Sequence, residues 1–261
     1  MGRRVGAIDV ANTWWQPIEM RRYQVTPHAD FTHTIRNNRT DRCEYIFSSL
    51  ITRSQHPCFS RNEYNFFAWL DIQPDVKTFR SQPQSVTYLL DGEEHTYTAD
   101  AIVHYDDDVR AAIEVKHEYE ARLDKNAPKW HCLRKVFAAN DMNFAVITDE
   151  DLEADPLLHN VQTIRREVHS RPRTDAVYRM RTAFEQDDEV PFSRLMECVQ
   201  QPENVARMQV LHMICMRQFT FDLSKARLQD HTPIQLVRNR ESVGERAARR
   251  TASRHATDPI A

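Results

Sequence analysis

The chain has 261 residues, 41% hydrophobic and 28% charged, with a net charge of −3, a globular composition long enough to bury a substantial core. No apolar run approaches the roughly 20 residues of a membrane span, and Met1–Gly6 lacks the apolar stretch of a signal peptide, so a cytoplasmic location without membrane attachment is expected. The four glycines, Gly2, Gly6, Gly92 and Gly244, build neither a dinucleotide fingerprint nor a Walker A loop, so any ATP dependence has to come from a partner.

The first segment is basic, with Arg3, Arg4, Arg21, Arg22, Arg36, Arg39 and Arg42, a footprint suited to phosphate contacts. It forms an arm expected over 1–58 that also carries Trp14 and Trp15. Ser60 to Leu70 reads as a helix. Glu63, Phe67 and Leu70 fall at i, i+4 and i+7, which puts an acid on the apolar face. Burying that acid unpaired is costly, so it calls for a cation or hydrogen-bond donors. Ser60-x-x-Glu63 is also a capping box, in which Glu63 bonds back to the helix start; the two roles are compatible.

Gln84 to Leu90 reads as a strand, and Asp91-Gly92 as a tight turn. Two further runs, Thr98–Tyr105 and Ala112–Lys116, flank the acidic turn Asp106-Asp107-Asp108 and also read as strands. A hairpin centred on Asp107 pairs Tyr105 with Val109 and brings Asp100 opposite Glu114. Alternation then places Lys116 on the face of Glu114. Directly opposed residues have Cβ atoms roughly 5 Å apart, where like charges repel. A structural sheet has no reason to hold two carboxylates there, whereas a divalent cation between them supplies one. A bulge in either strand would shift this pairing, and a D…ExK spacing by itself is short and common.

After a charged, irregular stretch to Pro128, Lys129–Ala139 is expected to be a helix and Asn143–Thr148 a buried strand. Helices are then predicted over Asn160–Ser170, Asp175–Glu185, Phe192–Gln200 and Asn204–Met216, followed by short strands at Gln218–Asp222 and Thr232–Val237. Arg240, Arg246, Arg249, Arg250 and Arg254 make the tail basic, and 241–261 is expected to be disordered. Five scattered cysteines, Cys43, Cys58, Cys132, Cys198 and Cys215, without a C-x-x-C, read as reduced thiols rather than a zinc site.

The order helix, three strands, helix, strand, with Glu63, Asp100, Glu114 and Lys116, resembles the PD-(D/E)xK restriction-endonuclease-like fold. Asn62-Glu63, Trp69-Leu70, Pro74-Asp75-Val76-Lys77-Thr78-Phe79-Arg80-Ser81-Gln82-Pro83, Tyr97-Thr98-Ala99-Asp100 and Glu114-Val115-Lys116 more narrowly resemble the TnsA family, the endonuclease subunits of heteromeric cut-and-paste transposases. Two departures are Ala99, where the motif usually has proline, and Glu114, where the family can carry an amide.

The resemblance implies an α/β nuclease core over 59–152 and a mostly helical, winged-helix-like domain over 153–240. It implies a metal-dependent DNA endonuclease that hydrolyses phosphodiester bonds at the 5′ ends of a mobile element during transposition, in a bacterial cytoplasm and on the nucleoid when active. The implied cofactor is Mg²⁺, for which Mn²⁺ substitutes. Its ligands would be Asp100, Glu114, the Val115 carbonyl and Glu63, directly or through water; Lys116 would position water or stabilise the phosphorane. Gln82 is open between a contact to the site or DNA and an ordinary loop residue. The implied partners are double-stranded transposon ends, a TnsB-like DDE transposase, and a TnsC-like AAA+ ATPase bound by the C-terminal part. The weakly acidic net charge fits a nuclease delivered to DNA by partners. In the helix Asn204–Met216 only Arg207, Gln209, His212 and Arg217 are polar enough to face DNA, which favours protein docking over DNA reading. The alternatives are a restriction or repair nuclease of the same fold, which should cut alone, and a non-catalytic assembly module, which would have no reason to keep all four site residues.

Overall fold

The computed structural model describes residues 24–27, 45–82 and 84–237. Apart from Gln24–Pro27, the arginine-rich segment before Tyr45, with Trp14, Trp15 and Cys43, and the basic tail lie outside these residues. The centre is a four-stranded sheet of β4 (Val76–Ser81), β7 (Ala101–Tyr105), β8 (Arg110–Lys116) and β9 (Asn143–Thr148), in the order β4-β7-β8-β9. The first three strands pair antiparallel, and β9 joins β8 in parallel. That last step needs a crossover, supplied by α3 (Ala127–Ala138).

Alternation along β8 divides the interior. Ala111, Ile113 and Val115 face a cluster holding Phe66, Phe67 and Leu70 of α1 (Arg61–Leu70). Ala112 faces the other cluster, with Trp130, Leu133, Val136 and Phe137 of α3. The sheet is thus covered by a helix on each face, as a buried mixed sheet requires. α3 starts two residues before the expected Lys129, because Pro128 sits in its first turn, where a missing N–H costs nothing.

The strand expected over 98–105 is divided between two sheets. β5 (Gln84–Leu90) and β6 (Glu93–Thr98) form a hairpin around Asp91 (φ 54°) and Gly92 (φ 85°), the two positive φ angles of a type I′ turn. β1 (Gln24–Pro27) pairs with β5 at the edge of this second sheet, β2 (Tyr45–Ser48) and β3 (Gln55–Cys58) form a separate antiparallel pair, and the short α2 (Glu118–Ala121) lies between β8 and α3. β6 ends at Thr98, the chain bends at Ala99-Asp100, and β7 begins in the central sheet. Ser81 pairs with Ala101 and Ser85 with Thr98, so the first strand has one residue more than the second between these pairs. This extra residue has the effect of a β-bulge, which bends a ribbon and re-aims side chains. Gln82 sits at the bend with φ 42°, and its N–H donates to the Asp100 carbonyl at 2.9 Å. β4 itself was not expected as a strand, because a register shift between Val76 and Thr78 breaks its alternation.

Beyond β9 come α4 (Asp149–Glu153), α5 (Leu157–Arg166) and α6 (Thr174–Thr182), then β10 (Glu189–Pro191), α7 (Phe192–Val199), α8 (Glu203–Cys215), β11 (Phe219–Thr220) and β12 (Pro233–Leu236). The short α4 was not expected; the other helices match the expected ones except that α5 begins and ends earlier, and the two late strands are shorter. β10, three residues long, gives no readable period, yet it pairs with β12 in a sheet of order β10-β12-β11. None of the described helices is long and apolar enough to cross a membrane.

The apolar interior runs without a break from Phe47 to Ile234, and polar groups tie its two halves. Asp71, with 0% exposure, accepts from Ser49 Oγ at 2.7 Å, Leu50 N–H at 2.9 Å and Ile51 N–H at 3.2 Å. It also pairs with Arg165 of α5, whose guanidinium lies 4.8 Å over Phe47 and donates to the Ser48 carbonyl at 3.1 Å. Arg217 donates to the Val76 carbonyl and, at 3.2 Å, to that of Gln73. Removing one partner of a buried pair leaves the other uncompensated. Arg165→Ala should therefore lower unfolding free energy by about 3 kcal/mol in urea titration; a loss under about 0.5 kcal/mol would show that the backbone donors to Asp71 suffice.

Candidate active site

The hairpin of β7 and β8 has the register expected from the acidic turn. Tyr105 N–H donates to the Val109 carbonyl at 2.9 Å, and Ala101 pairs with Ile113. One step outward, Asp100 comes opposite Glu114. Asp100 lies in the bend before β7 rather than within a strand, so the extra residue at Gln82 determines its approach. Its Oδ2 accepts the Val115 N–H at 2.7 Å.

Glu114 is 4% exposed. Its Oε2 accepts a short hydrogen bond from the Tyr97 hydroxyl, and its Oε1 lies 3.1 Å from Lys116 Nζ. Tyr97 belongs to the α3-side cluster, so Glu114 and, by alternation, Lys116 point to that side. Burial and the adjoining Glu114 push the Tyr97 phenol well above its ordinary pKa, which keeps it a donor. Burial works against the Lys116 ammonium, but Glu114 and Asp100 together hold its pKa above the usual lysine value.

Glu63 adopts the capping arrangement. The Ser60 hydroxyl accepts the Glu63 N–H at 3.2 Å and donates to Glu63 Oε1 at 3.1 Å, while Oε2 accepts the Phe59 N–H at 3.1 Å. The residue is 7% exposed. Burial raises its pKa, opposed by those donors and by Lys116, with the Glu114 charge adding to the rise. The helix cap therefore lies within electrostatic reach of the hairpin site, with both carboxylate oxygens of Glu63 committed to the cap.

Asp100 shows the strain of the arrangement. Burial first, then the Glu114 charge, push its carboxyl from 3.8 to about 7, against the Val115 N–H and Lys116. Among the described residues no three His, Cys, Asp or Glu side chains stand close enough to hold an ion by themselves. Mg²⁺ does not need three: it keeps several waters and is held by one or two carboxylates plus substrate phosphate. A buried carboxylate pair that resists double ionisation suits such an ion. Of the other expected ligands, Val115 lies in the β8–β9 ladder with its N–H given to Asp100.

Two neighbours were not read from the sequence. Tyr97 holds Glu114, and Lys129 of α3 places Nζ 5.0 Å from the Tyr97 ring centroid and 4.7 Å from that of Trp130. Both contacts join distant segments, and no local spacing announces them. The only available signal was the position of Lys129 at the head of the helix expected over Lys129–Ala139.

A carboxyl whose pKa is higher folded than unfolded holds its proton longer in the native state. Its stabilising share is present in full below the unfolded value near 3.9 and is lost as pH rises through about 7. Asp100→Asn should accordingly unfold at a higher temperature than the wild type at pH 8, and the difference should vanish near pH 4.5. An equal difference at both pH values would show that Asp100 is not buried beside a like charge.

No curated protein matches the chain. Residues 73–149, from the end of α1 through β9, match the family model described as TnsA-like endonuclease N terminal. The segment includes Asp100, Glu114 and Lys116. The match covers under a third of the chain; together with the PD-(D/E)xK arrangement of sheet and helices it shows a TnsA-like endonuclease domain at the centre of the chain.

Proposed function

We propose that the protein is the Mg²⁺-dependent endonuclease subunit of a heteromeric transposase, hydrolysing phosphodiester bonds at the 5′ ends of a mobile element. The observation that carries this reading is the juxtaposition of Asp100, Glu114 and Lys116 inside the segment that matches the TnsA-like endonuclease family. Asp100 and Glu114 would hold Mg²⁺, with Mn²⁺ as a substitute; Glu63 and the Val115 carbonyl would complete or orient the ligand set. When bound there, the cation supplies Lewis acidity and neutralises charge at the scissile phosphate.

The chain's own groups do the rest. The Val115 N–H fixes one oxygen of Asp100, and the Tyr97 hydroxyl and Lys116 fix those of Glu114. Lys116, kept protonated by the two acids, is placed to orient the attacking water or to stabilise the pentavalent phosphorus. Gln82 acts through its backbone, holding the bend that presents Asp100.

The working division is a nuclease unit over 59–152 and a docking unit over 153–240. The order α6-β10-α7-α8-β11-β12, with β10 on β12, suits a winged-helix-like module. Protein docking is favoured over DNA reading by the commitments of α8 and of Arg217 just beyond it. His212 is buried against the Glu167 carbonyl, Arg217 serves the Gln73 and Val76 carbonyls, and Arg207 stacks 5.2 Å over Phe192. That leaves few polar groups free to meet DNA. The partners on this reading are transposon-end duplex, a TnsB-like DDE transposase and, at the docking unit, a TnsC-like ATPase, all in the cytoplasm.

The test is nicking of transposon-end DNA with Mg²⁺ in the presence of both cognate partners. The wild type should nick the 5′ ends, and Lys116→Ala should lose at least about a hundredfold in rate while Mn²⁺ affinity stays within about threefold. Retained cleavage would remove Lys116 from the mechanism. Site-specific cutting by the wild type alone would mark a restriction or repair nuclease instead.

A further inference from the structure

Lys129 stands in the first turn of α3, half-buried, with its ammonium on the faces of Tyr97 and Trp130. Tyr97 is the residue whose hydroxyl holds Glu114, so this second lysine borders the carboxylate site. Among the described residues it forms no ion pair with a carboxylate and no hydrogen bond. Burial and the like charge of Lys116 draw its pKa down, and Glu114 and Asp100 act in the opposite sense.

Packing alone does not require a charge here. Covering Tyr97 and Trp130 needs only an apolar stem, and a methionine would do it without the cost of partly desolvating an ammonium. Aromatic faces attract a cation without occupying its N–H donors, so the three donors of Lys129 remain available to an incoming acceptor. The site also lacks positive charge. Apart from Lys129, the cation near Glu63, Asp100 and Glu114 among the described residues is Lys116, which is already committed to Glu114. A DNA phosphate approaching this edge meets an excess of carboxylate that Lys129 is placed to offset.

We propose that Lys129 is a phosphate-binding residue of the nuclease site, donating to a non-bridging oxygen of the DNA strand to be cut. This rests on the endonuclease reading above. It differs from the role of Lys116, which lies on the strand with the metal ligands and is already paired with one of them.

The experiment is the salt dependence of transposon-end duplex binding by the full-length protein together with its cognate partners, followed by fluorescence anisotropy with Ca²⁺ in place of Mg²⁺. Each phosphate contact contributes about 0.9 to the slope of log affinity against log salt. Lys129→Met should reduce the slope by about that amount, and Lys129→Arg should retain it, both with native thermal transitions. Should Lys129→Met not fold, Lys129→Gln carries the same expectation. An unchanged slope in the uncharged variant, with a wild type that cuts DNA in Mg²⁺ and its partners, overturns this proposal alone. A reduced slope with no cleavage under any condition retains the phosphate contact and overturns the nuclease reading. A wild type that neither binds nor cuts overturns both.

Discussion

Two carboxylates, Asp100 and Glu114, face each other across a hairpin register that neither can leave. At roughly 5 Å and an effective dielectric of about 20, like charges repel by about 3 kcal/mol, and burial adds a desolvation cost. The surrounding residues are arranged to carry that cost. The Val115 N–H stabilises Asp100, Tyr97 and Lys116 stabilise Glu114, and the Asp100 carboxyl still rises to about 7. A proton on Asp100 relieves the arrangement below about pH 7; on the proposed reading a cation does so above it, and this constraint ties the structure to the proposed chemistry.

The scaffold makes the arrangement hard to escape. The sheet carrying both acids is covered on one face by α1 and on the other by α3, so the hairpin cannot slip without turning apolar side chains to water. The bend at Gln82 and Ala99-Asp100 lets one ribbon serve two sheets and delivers Asp100 to the face of Glu114. On the far side of α1, the buried Asp71–Arg165 pair and the Arg217 contacts secure the helical half to the nuclease half. A change in that half therefore has a physical route to α1, whose first turn carries Glu63.

Much of this was legible in the sequence, for a local reason. Three consecutive aspartates between two apolar runs define a hairpin centre, and counting outward from it gives the pairing of Asp100 with Glu114, because side-chain alternation is fixed. Glu63 was legible in both its roles, as a cap from Ser60-x-x-Glu63 and as an acid on an apolar face. The break of 98–105 into two strands was not, because β-propensity runs straight through Thr98 and the bend depends on an extra residue in the partner strand. β4 was hidden by its broken alternation and β10 by its length. Tyr97 and Lys129 were missed because their contacts link segments 17 and 15 positions from Glu114, across sheet and helix, where one-dimensional spacing carries no signal.

The most direct measurement of the central claim is Mn²⁺ binding by titration calorimetry, comparing the wild type with Asp100→Ala. The account predicts binding by the wild type with release of protons near neutral pH, since the Asp100 carboxyl titrates near 7, and loss of that binding in the variant. Equal binding by both would mean that the opposed carboxylates are not the metal site and that the nuclease chemistry built on them is wrong.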